Sequence, residues 1–428
     1  MNATERAAPK HGTEASVRSR AGPFGWWHDA TPEAHRALVA AALGWMLDAF
    51  DVMLYALLLA WIITDLEMTR QTAGAIGSAT LLAAAAGGLL FGVVADRFGR
   101  TRALIASVLI YSIFTALCGL ATSAAQLAVF RILLGIGMGG EWASGAALVS
   151  ETWPDRHRGK ALGLMQSAWA IGYALAAAVT LTVLPRWGWR AVFLIGVLPA
   201  LLTLWVRRNV KEPDIWLQSR GLRRSPARIA DIFGDGRAGL TAAVTAMNAC
   251  TLFAWWGFNL WLPGFLSSPA SAGGIGLSPE AMSWFIIAMQ VGMWIGYVTF
   301  GYVSDLIGRK RTYVTYLLTA AVLVAIYTSL RSPLALLALG PFVAFFATGY
   351  FSGFGAVTAE IYPTSIRATA QGFTYNLGRI ASAAAPYTVG TLAQTRGFDA
   401  ALQTTSIAFV VAAVFWIWIP ETRGRELA

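Results

Sequence analysis

Charged residues are scarce in this chain, and cysteine and histidine are scarcer still. Only 13% of the 428 residues are charged, against about 25% in a typical soluble domain, while 57% are hydrophobic. The two cysteines, Cys118 and Cys250, both fall in apolar segments, which excludes a disulfide framework. None of the four histidines lies in an apolar segment, and the sequence has neither a metal-ligand spacing nor a nucleophile–base arrangement. We therefore predict no catalytic residue, no metal site and no cofactor, in a chain that lipid surrounds over most of its length.

Long apolar stretches fill most of the remaining sequence. A membrane-spanning helix needs roughly 20 apolar residues, and twelve such stretches can be marked: 38–62, 72–95, 102–121, 126–149, 160–183, 188–207, 240–266, 280–303, 312–330, 333–357, 369–393 and 400–420. The first 36 residues are polar and have no apolar core, so we expect no cleavable signal peptide. The pattern predicts an all-α membrane protein with five parts: an N-terminal tail (1–37), a six-helix bundle (38–207), a linker (208–239), a second six-helix bundle (240–420) and a C-terminal tail (421–428).

The net charge of +10 comes from the loops rather than from one binding surface. Of the 32 lysines and arginines, 25 lie in the tails or in the loops that follow even-numbered spans. Loops rich in Lys and Arg stay on the cytoplasmic side of a membrane. We therefore predict a multi-pass protein of the cell membrane with both termini and the linker in the cytoplasm. The basic charge does not indicate a nucleic-acid partner.

Two short motifs occur twice, and the copies of each are 209 residues apart. The first reads GxxxDxxGR and begins at Gly92 and again at Gly301; the second reads ExxPxxxRxxxxG and begins at Glu151 and again at Glu360. Two fused halves of similar orientation are the usual plan of a secondary transporter, which binds its substrate between the halves near the middle of the bilayer. The duplication therefore indicates transport.

Both motifs resemble loop signatures of one family of transporters, the major facilitator superfamily. ADRFGRTR (95–102) and SDLIGRKR (304–311) are similar to its signature after spans two and eight, and the second motif is similar to its signature after spans four and ten. GWMLDAFDVMLYAL (44–57), RILLGIGMGGEW (131–142) and YNLGRI (375–380) resemble spans one, four and eleven of its proton-linked metabolite symporters, in the sialate and aromatic-acid branches. ETWPDRHRGKALG (151–163) and RWGWRAVFLIGVLPALL (186–202) are more similar to the sialate and lactate branch. The resemblance implies twelve helices in two pseudo-symmetric bundles of six.

The resemblance also implies a group of charges that holds the cytoplasmic gate and separates during transport. At helix ends, carboxylates and guanidiniums of neighbouring helices can form ion pairs. The alternative is a solvated loop without a switch. The residues concerned are the charged members of the motif copies: Asp96, Arg97, Arg100, Glu151 and Arg158 in the first half, and Asp305, Arg309, Glu360 and Arg367 in the second.

Ionisable side chains inside a membrane span are costly, so each is a functional hypothesis. Four are predicted to serve proton coupling: Asp48 and Asp51 in span one, and Arg131 and Glu141 in span four. Asp48 and Asp51 share a helix face, and Asp51 and Arg131 lie at comparable depth, so that a contact is expected. A guanidinium favours an ionised carboxylate and burial favours the neutral acid, so opening the cavity to either side would load or release a proton. The alternatives are a permanent hydrogen bond of Glu141 to a neighbouring helix and an auxiliary role for Asp48.

Arg379 lies near the middle of span eleven, and the spans of the second half offer no carboxylate at similar depth. We predict that its guanidinium binds a carboxylate of the substrate in a bidentate manner. Pairing with Asp48 across the interface is the alternative. The other side chains predicted to bind substrate are polar or aromatic residues of the spans: Asn376, Asn248, Gln166, Tyr173, Gln290, Trp255 and Trp256.

These observations favour a proton-coupled symporter that imports a small organic anion, such as lactate, a sialic acid or an aromatic acid, by alternating access. It would act as a monomer in the lipid bilayer, with the anion and the proton as its partners. A sugar or drug transporter of the same superfamily is the second hypothesis, and Arg379 argues against the sugar. A membrane-embedded enzyme or sensor is the third, and the duplication argues against it.

Overall fold

The computed structural model describes residues 25–154, 157–212, 229–363 and 366–423, and within these ranges the regular structure is entirely helical. The helices described in the first half are α1 (Gly25–His28), α2 (Pro32–Asp65), α3 (Arg70–Phe98), α4 (Arg100–Cys118), α5 (Ala124–Thr152), α6 (Arg158–Ile195) and α7 (Ala200–Asn209). Those described in the second half are α8 (Ala238–Ser267), α9 (Pro279–Ile307), α10 (Arg309–Ser329), α11 (Pro333–Thr348), α12 (Phe354–Ile361), α13 (Arg367–Ser382), α14 (Ala384–Thr395) and α15 (Gly397–Phe415).

The two halves repeat each other in register. The bounds of α3 and α9 differ by 209 residues at both ends, and so do those of α5 and the α11–α12 segment. The tight turns repeat as well, since Gly99 and Gly308, and likewise Gly188 and Gly397, all have φ between 73° and 114°. Residues with a side chain disfavour such φ values, which explains the glycines. The repeat seen in two motifs therefore extends over whole helices.

Serine and threonine side chains define where many of the helices begin. At the starts of α2, α3, α5, α9 and α11, the side chain before the first turn accepts a hydrogen bond from the backbone N–H three residues later; these residues are Thr31, Thr69, Ser123, Ser278 and Ser332. Such N-caps satisfy N–H groups that have no partner inside the helix. Proline follows the cap in α2, α9 and α11, where no hydrogen bond is lost.

In the described residues, ten helical segments are long and apolar enough to cross a membrane. One of them, 158–209, is 52 residues long and crosses twice, because its backbone leaves helical geometry at Gly188. The predicted eleventh span is a further crossing, divided into α13 and α14 at Ala383. The prediction of twelve spans in an all-α membrane protein is confirmed. The structure adds that span ten is also interrupted, by a 3-10 turn at Gly349–Gly353.

The predicted domain boundaries fall close to helix ends but are not all covered by the structure. The predicted linker 208–239 overlaps the last two residues of α7, which ends at Asn209, and the first two of α8, which begins at Ala238, and its residues 213–228 are outside the described ranges. Helix α1 and the first turn of α2 lie within the predicted N-terminal tail. These boundaries therefore stay predictions.

Glycines bring helices of the first half into backbone contact. A Cβ atom at Gly172 would lie 1.8 Å from the carbonyl oxygen of Met46, which joins α6 to α2. A Cβ atom at Gly139 would lie 2.0 Å from the carbonyl oxygen of Ala84, which joins α5 to α3. Small residues allow this approach between membrane helices, where packing replaces the hydrophobic effect. The contacts join α2 to α6 and α3 to α5 within the first half.

The two halves contact each other mainly through three helix pairs, α3 with α14, α6 with α9, and α2 with α8. They meet closely at the end of the bundle away from the repeated motifs. There a Cβ atom at Gly74 would lie 2.4 Å from the carbonyl oxygen of Pro386. Arg70 Nη1 donates a hydrogen bond of 2.8 Å to the carbonyl oxygen of Ala393. The halves are thus closed against each other at that end.

Candidate functional site

A small cavity lies between the two halves, midway along the helices. Its lining comes from α2 and α6 of the first half and from α8, α9, α13 and the 3-10 turn of the second: Trp45, Gln166, Trp169, Leu252, Trp255, Trp256, Tyr297, Phe351, Tyr375 and Arg379. The volume open to the centres of water molecules is about 30 Å³, which is room for about two waters. A larger guest must therefore part the aromatic side chains.

Four of the ten residues that line the cavity are tryptophans, and Trp169 contacts the other three. Its ring centroid lies 4.6 Å from that of Trp45, 5.6 Å from that of Trp255 and 6.3 Å from that of Trp256. The ring planes cross at 50° to 90°, so that edges meet faces. All four side chains are buried, yet the indole N–H groups of Trp45, Trp169 and Trp255 have no acceptor among the described residues.

Arg379 is the only charged residue among those lining this cavity in the described structure. It lies in α13, four residues before the helix break at Ala383, and is 4% exposed. No described carboxylate lies within the 4.0 Å of an ion pair with its guanidinium. A buried guanidinium without an anion is costly. The position of Arg379 agrees with the predicted grip on a substrate carboxylate, and that role remains a prediction.

Asp48 lies on α2 behind the cavity wall, three residues after Trp45. It is close enough to Arg379 and to Glu141 for direct electrostatic interaction, but it forms no ion pair with Arg379 within 4.0 Å. Asp48 and Glu141 are at most 1% exposed, and their four carboxylate oxygens have no hydrogen-bond partner among the described residues. Glu141 Oε1 lies 2.5 Å from the position that a Cβ atom at Gly44 would take. Glu141 thus occupies the space left by that glycine. In this conformation its carboxylate does not form the hydrogen bond to a neighbouring helix that was the alternative to a role in proton coupling.

Asp51 and Arg131 are both buried and lie near each other without forming an ion pair. The guanidinium of Arg131 instead lies over the ring of Tyr55, with 4.5 Å between its Cζ atom and the ring centroid. The hydroxyl of Thr115 faces Asp51, but the two groups do not meet the geometry of a hydrogen bond. The expected direct contact between Asp51 and Arg131 is therefore not made in this conformation. Tyr55 supplies a cation–π contact to Arg131 in its place.

Two asparagines predicted to bind substrate lie outside the lining of the cavity. Asn376 Nδ2 donates to the carbonyl oxygen of Gly372 at 2.9 Å, and its Oδ1 faces α3 at Gly88. Asn376 shares a face of α13 with Arg379, three residues later, but its amide group bonds the helix backbone and faces α3 instead of the cavity. Asn248 packs against the backbone at Gly378.

Tyr173 and Gln290 also lie outside the lining, whereas Gln166 and Trp255 are part of it. The hydroxyl of Tyr173 donates to the carbonyl oxygen of Asn259 at 3.5 Å, which links α6 to α8. Gln290 is buried in α9, and its Oε1 has no partner among the described residues.

Sequence reasoning missed most of the aromatic lining, namely Trp45, Trp169, Tyr297, Phe351 and Tyr375. A signal did exist in two cases. Trp45 is three residues from Asp48, and Trp169 is three residues from Gln166, so each shares a helix face with a polar residue. Among the described residues, no group of His, Cys, Asp and Glu side chains is arranged to hold a metal ion.

The repeated motifs place an ion-pair cluster in each half, at the end of the bundle called here the motif end (around Gly99 and Gly308). Arg100 donates to Glu151 from Nε at 3.1 Å and from Nη2 at 2.8 Å, which joins α4 to α5. Arg309 donates to Glu360 from Nη2 at 3.1 Å, and these pairs lie within one half rather than between halves. The two clusters therefore stiffen each half at its motif end.

The remaining predicted gate residues surround these clusters. Asp305 pairs with Arg309 at 2.5 Å. Arg97 is exposed, and its Cζ atom lies 5.5 Å from the ring of the next residue. Arg367 Nε donates to a backbone carbonyl oxygen at 3.2 Å, and Arg158 begins α6. Asp96 belongs to α3, and its side chain lies outside the described part of the structure.

Two glutamates that sequence reasoning missed complete the clusters. Glu212 accepts a hydrogen bond from the backbone N–H of Thr101 at 3.2 Å. Glu421 accepts from the backbone N–H groups of Arg309 at 2.8 Å and Lys310 at 3.1 Å. Each carboxylate thus caps the first turn of a helix, α4 or α10, where N–H groups lack partners and negative charge is stabilised. The two glutamates are also 209 residues apart, so they form a third repeated element.

The family model of the Major Facilitator Superfamily matches residues 41–273 and 249–428. The chain belongs to this superfamily. It is therefore a multi-pass membrane transporter and not an enzyme, as predicted.

Several relatives of known name cover nearly the whole chain. A probable 4-methylmuconolactone transporter of Cupriavidus pinatubonensis is 34% identical, over 94% of this chain and 94% of its own length. A sialic acid transporter of Escherichia coli is 30% identical, over 90% of this chain and 93% of its own. A cis,cis-muconate transport protein of Acinetobacter baylyi is 30% identical, over 93% of this chain and 95% of its own.

Solved structures of low sequence identity share the architecture. A D-xylose–proton symporter has a TM-score of 0.74 at 22% identity and covers 92% of this chain and 100% of its own. A bacterial homologue of the human lysosomal transporter Spinster, inward-facing and occupied, has a TM-score of 0.72 at 18% identity and covers 91% of this chain and 97% of its own. These likenesses confirm the predicted fold class and do not bear on the substrate.

Proposed function

We propose that this protein is a proton-coupled symporter that imports a small organic anion by alternating access. The observation that carries the proposal is the place of Arg379, which lines the cavity between the halves and has no anionic partner there. Relatives named for muconate, a muconolactone and sialic acid support an organic acid as the substrate. Lactate is not among the substrates named for these relatives, and we no longer propose it.

The substrate carboxylate would bind the guanidinium of Arg379. Arginine presents its N–H donors in a planar fork that matches the two oxygens of a carboxylate. In a buried site this pairing is stronger than in water, because few water molecules compete. Binding of an anion would also remove the cost of an unpaired buried cation.

Proton coupling would follow from the position of Asp48 between two partners. Asp48 interacts electrostatically with Arg379, which lines the cavity, and with Glu141, which does not. A bound anion competes with Asp48 for the same guanidinium, so a proton on Asp48 favours anion binding and the anion favours that proton. Linkage of this kind is reciprocal. Substrate and proton would then cross the membrane together.

Glu141, Asp51 and Arg131 would complete the proton path within the first half. Glu141 lies on α5 against Gly44, ten residues beyond Arg131, so the carboxylates are spread along the membrane normal. At about 1.5 Å per residue, the two α5 side chains are roughly 15 Å apart. A proton could therefore reach Asp48 from Glu141, while Arg131 holds positive charge near Asp51.

The protein would reside in the cell membrane as a monomer, with both termini and the motif end in the cytoplasm. The distribution of lysine and arginine supports this orientation. The two bundles, 38–207 and 240–420, would rock against each other as units that the ion-pair clusters at Arg100 and Arg309 keep stiff. We propose that the charged motif residues act as a gate through these clusters.

A sugar or drug transporter remains the competing hypothesis within the superfamily. A neutral sugar offers no charge to Arg379, and the likeness to the xylose symporter shows only a common fold. The cavity residues therefore favour an anion.

The test is uptake of radiolabelled carboxylates by purified protein in proteoliposomes, with an acidic exterior and with equal pH on both sides. We expect the proton gradient to drive accumulation. Arg379→Ala should weaken anion binding by about 100-fold, because a buried charge pair is lost. Arg396→Ala is the matched control, since Arg396 is an exposed arginine outside the cavity. Unchanged anion binding by Arg379→Ala would remove the proposed grip.

The proton path is tested with Asp48→Asn, Asp51→Asn and Glu141→Gln. If one of these residues carries the coupled proton, the variant that neutralises it should no longer accumulate substrate in response to a proton gradient. Exchange of substrate across the membrane should continue in that variant. If all three variants accumulate substrate like the unaltered protein, these carboxylates do not couple transport to protons.

A further inference from the structure

We propose that the second half of this protein binds an anionic phospholipid at its motif end. The binding site is a basic cavity beside side chains that face lipid, and it is separate from the cavity between the halves. The inference goes beyond the proposed function, and its test contains no transported acid, so either proposal can fail without the other. It takes the motif end to lie at the cytoplasmic surface of the membrane, as proposed above.

The cavity lies between the end of α9, the start of α10 and the segment that follows α15. The volume open to the centres of water molecules is about 290 Å³, against about 30 Å³ for the cavity between the halves. This is room for roughly 20 waters, and therefore for a phosphate group with its substituents. The residues that line it are Ile307, Gly308, Lys310, Arg311, Glu421 and Arg423.

Three of these six residues are cationic, and one is acidic. Arg311 and Arg423 are exposed, and neither has a described carboxylate within the 4.0 Å of an ion pair. With Lys310 they leave the lining with two positive charges in excess. An anion is therefore the ligand that the charges of the cavity favour.

The acids of this region are already engaged. The carboxylate of Glu421 accepts hydrogen bonds from four backbone N–H groups, two of them in the first turn of α10. Asp305 and Glu360 both pair with Arg309, which does not line the cavity. The start of α10 is thus occupied by Glu421, and the groups available to a ligand are the cationic side chains.

Lys310 is held in place across the cavity. Its Nζ atom donates to the carbonyl oxygen of Ile417 at 3.4 Å and to that of Ile419 at 3.1 Å, beyond the end of α15. An ammonium group has three N–H donors, so one donor remains for a ligand. Because the side chain is already ordered, less conformational entropy is lost when a ligand binds.

Apolar side chains at the same end of the molecule adjoin these cations. Leu306, in the last turn of α9, is 72% exposed, and Ile417 and Trp418, after α15, are 68% and 59% exposed. Side chains this apolar face lipid in a membrane protein, and tryptophan is common at the level of the headgroups. A ligand that carries both a phosphate and acyl chains would contact the cations and this surface at once. Free phosphate would contact only the cations.

The headgroup that fits is one with a net negative charge. Guanidinium groups donate two parallel hydrogen bonds to phosphate oxygens, and an ammonium group adds a point charge. A headgroup with its own amine, as in phosphatidylcholine, would place a further cation among three others. Basic pockets at the ends of membrane helices bind anionic headgroups. The chemistry therefore favours a lipid such as phosphatidylglycerol.

The first half does not repeat this charge, although its helices follow the same register. The residues 209 positions before Lys310, Arg311, Glu421 and Arg423 are, in that order, Thr101, Arg102, Glu212 and Asp214. These four positions hold one positive and two negative charges in the first half, against three positive and one negative in the second. The capping glutamate belongs to the common scaffold, whereas the excess of cations is particular to the second half.

The experiment measures the melting temperature of delipidated protein in detergent during titration with three ligands. Dioleoylphosphatidylglycerol has the anionic phosphate and the acyl chains, dioleoylphosphatidylcholine has a neutral headgroup on the same chains, and glycerol 3-phosphate has the phosphate alone. A ligand that binds the folded state raises its melting temperature. We expect saturable stabilisation by phosphatidylglycerol, at a half-maximal concentration about tenfold or more below those of the other two ligands.

Variants assign the binding to the cavity. Arg311→Gln removes one charge and should raise the half-maximal concentration of phosphatidylglycerol about fivefold, while Arg423→Asp reverses one charge and should raise it about 30-fold. Arg102→Gln is the matched control, because Arg102 is an exposed arginine at the equivalent position of the first half. It should change the half-maximal concentration by less than about twofold.

Each result decides for or against the lipid site. Equal stabilisation by phosphatidylglycerol and phosphatidylcholine would overturn it, since the headgroup charge would then have no effect. Equal stabilisation by glycerol 3-phosphate at the same concentration would assign the cavity to a soluble phosphate instead. Equal losses in Arg102→Gln and Arg311→Gln would show diffuse attraction between a basic surface and the lipid. Should Arg423→Asp fail to fold, the comparison of Arg311→Gln with Arg102→Gln still decides.

Discussion

The two halves of this transporter follow the same register of helices but differ completely in the charges they bury. At the motif end, Arg100 and Arg309 repeat each other, and so do their partners Glu151 and Glu360. In the interior, each charged residue has an uncharged counterpart 209 positions away: Asp48 and Gly257, Asp51 and Leu260, Arg131 and Gly340, Glu141 and Tyr350, and Arg379 and Ala170.

The comparison teaches that the duplicated part is the scaffold and that the divergent part holds the candidate site. Ion pairs at helix ends can stiffen either six-helix bundle, so the same pairs occur in both halves. The proposed coupling of a proton to an anion would use carboxylates of one half and a guanidinium of the other, and two halves with the same interior residues would not provide that division. We therefore expect substitutions at the scaffold to have matched effects in both halves, and substitutions in the interior to have unmatched ones.

Helix continuity differs between the halves in the same way. In the described residues, α5 and the first part of α6 are continuous. Their counterparts in the second half are interrupted: α11 and α12 are separated at Gly349–Gly353, and α13 and α14 at Ala383. Both breaks lie beside lining residues, Phe351 and Arg379. Interrupted helices in membrane transporters free backbone groups beside the substrate.

The largest difference in stability between equivalent substitutions in the two halves is expected at Gly172, where α6 contacts α2. Leucine at this position would collide with the carbonyl oxygen of Met46, since even a Cβ atom would lie 1.8 Å away. We expect Gly172→Leu to destabilise the fold by at least about 3 kcal/mol, seen as early thermal unfolding or aggregation in detergent. Ala381→Leu is the counterpart 209 residues later, and it should be tolerated because Ala381 is exposed. Equal stability of the two variants would contradict the proposed close packing.

The ion-pair clusters should respond alike in both halves. Arg100→Ala and Arg309→Ala each remove a mostly buried guanidinium and leave a glutamate without it, so each should cost about 3 kcal/mol of unfolding free energy. Thermal and denaturant unfolding in one detergent would measure this.

The controls for the clusters also form a repeated pair. Arg102→Ala and Arg311→Ala remove exposed arginines that are likewise 209 residues apart, and they should change stability by less than about 0.5 kcal/mol. A large loss of stability at only one of the two cluster arginines would show that the two clusters contribute unequally to stability although their geometry is the same.

The smallest expected effect concerns the glutamate cap of α10. Burial raises the pKa of Glu421, but the backbone N–H groups of Arg423, Arg309, Lys310 and Thr422 stabilise its charge and lower the pKa below the ordinary 4.5 overall. A lowered pKa in the folded state stabilises the fold above the unfolded value, and this contribution is lost as pH falls through the folded value.

Glu421→Gln should therefore lower the melting temperature slightly near neutral pH, and the difference should shrink below the ordinary pKa of a glutamate and vanish once the pH falls below the lowered pKa of Glu421 in the folded state. A melting series against pH, with Glu67→Gln as an exposed control, measures it. A difference that persists or grows in acid would exclude the charged cap.

Much of the scaffold could be read from the sequence because its signals are local. Apolar runs predict spans, N-cap residues predict helix starts, and repeated motifs predict that Arg100 and Arg309 have equivalent roles. Even so, the third repeated element at Glu212 and Glu421 was missed, since one glutamate after each last span gives no pattern by itself. The direct contact expected between Asp51 and Arg131 was replaced by the ring of Tyr55, because depth along a helix does not fix which way a side chain turns.

By itself, the sequence determined the class of protein, the number of membrane crossings and the few charges that lipid must enclose. These follow from hydrophobicity, which each stretch of chain expresses independently of the others. Only the tertiary structure decided which side chains meet: four tryptophans from three helices line one cavity with one arginine. Such a convergence depends on the rotation and crossing of helices far apart in the chain, and no local pattern records it.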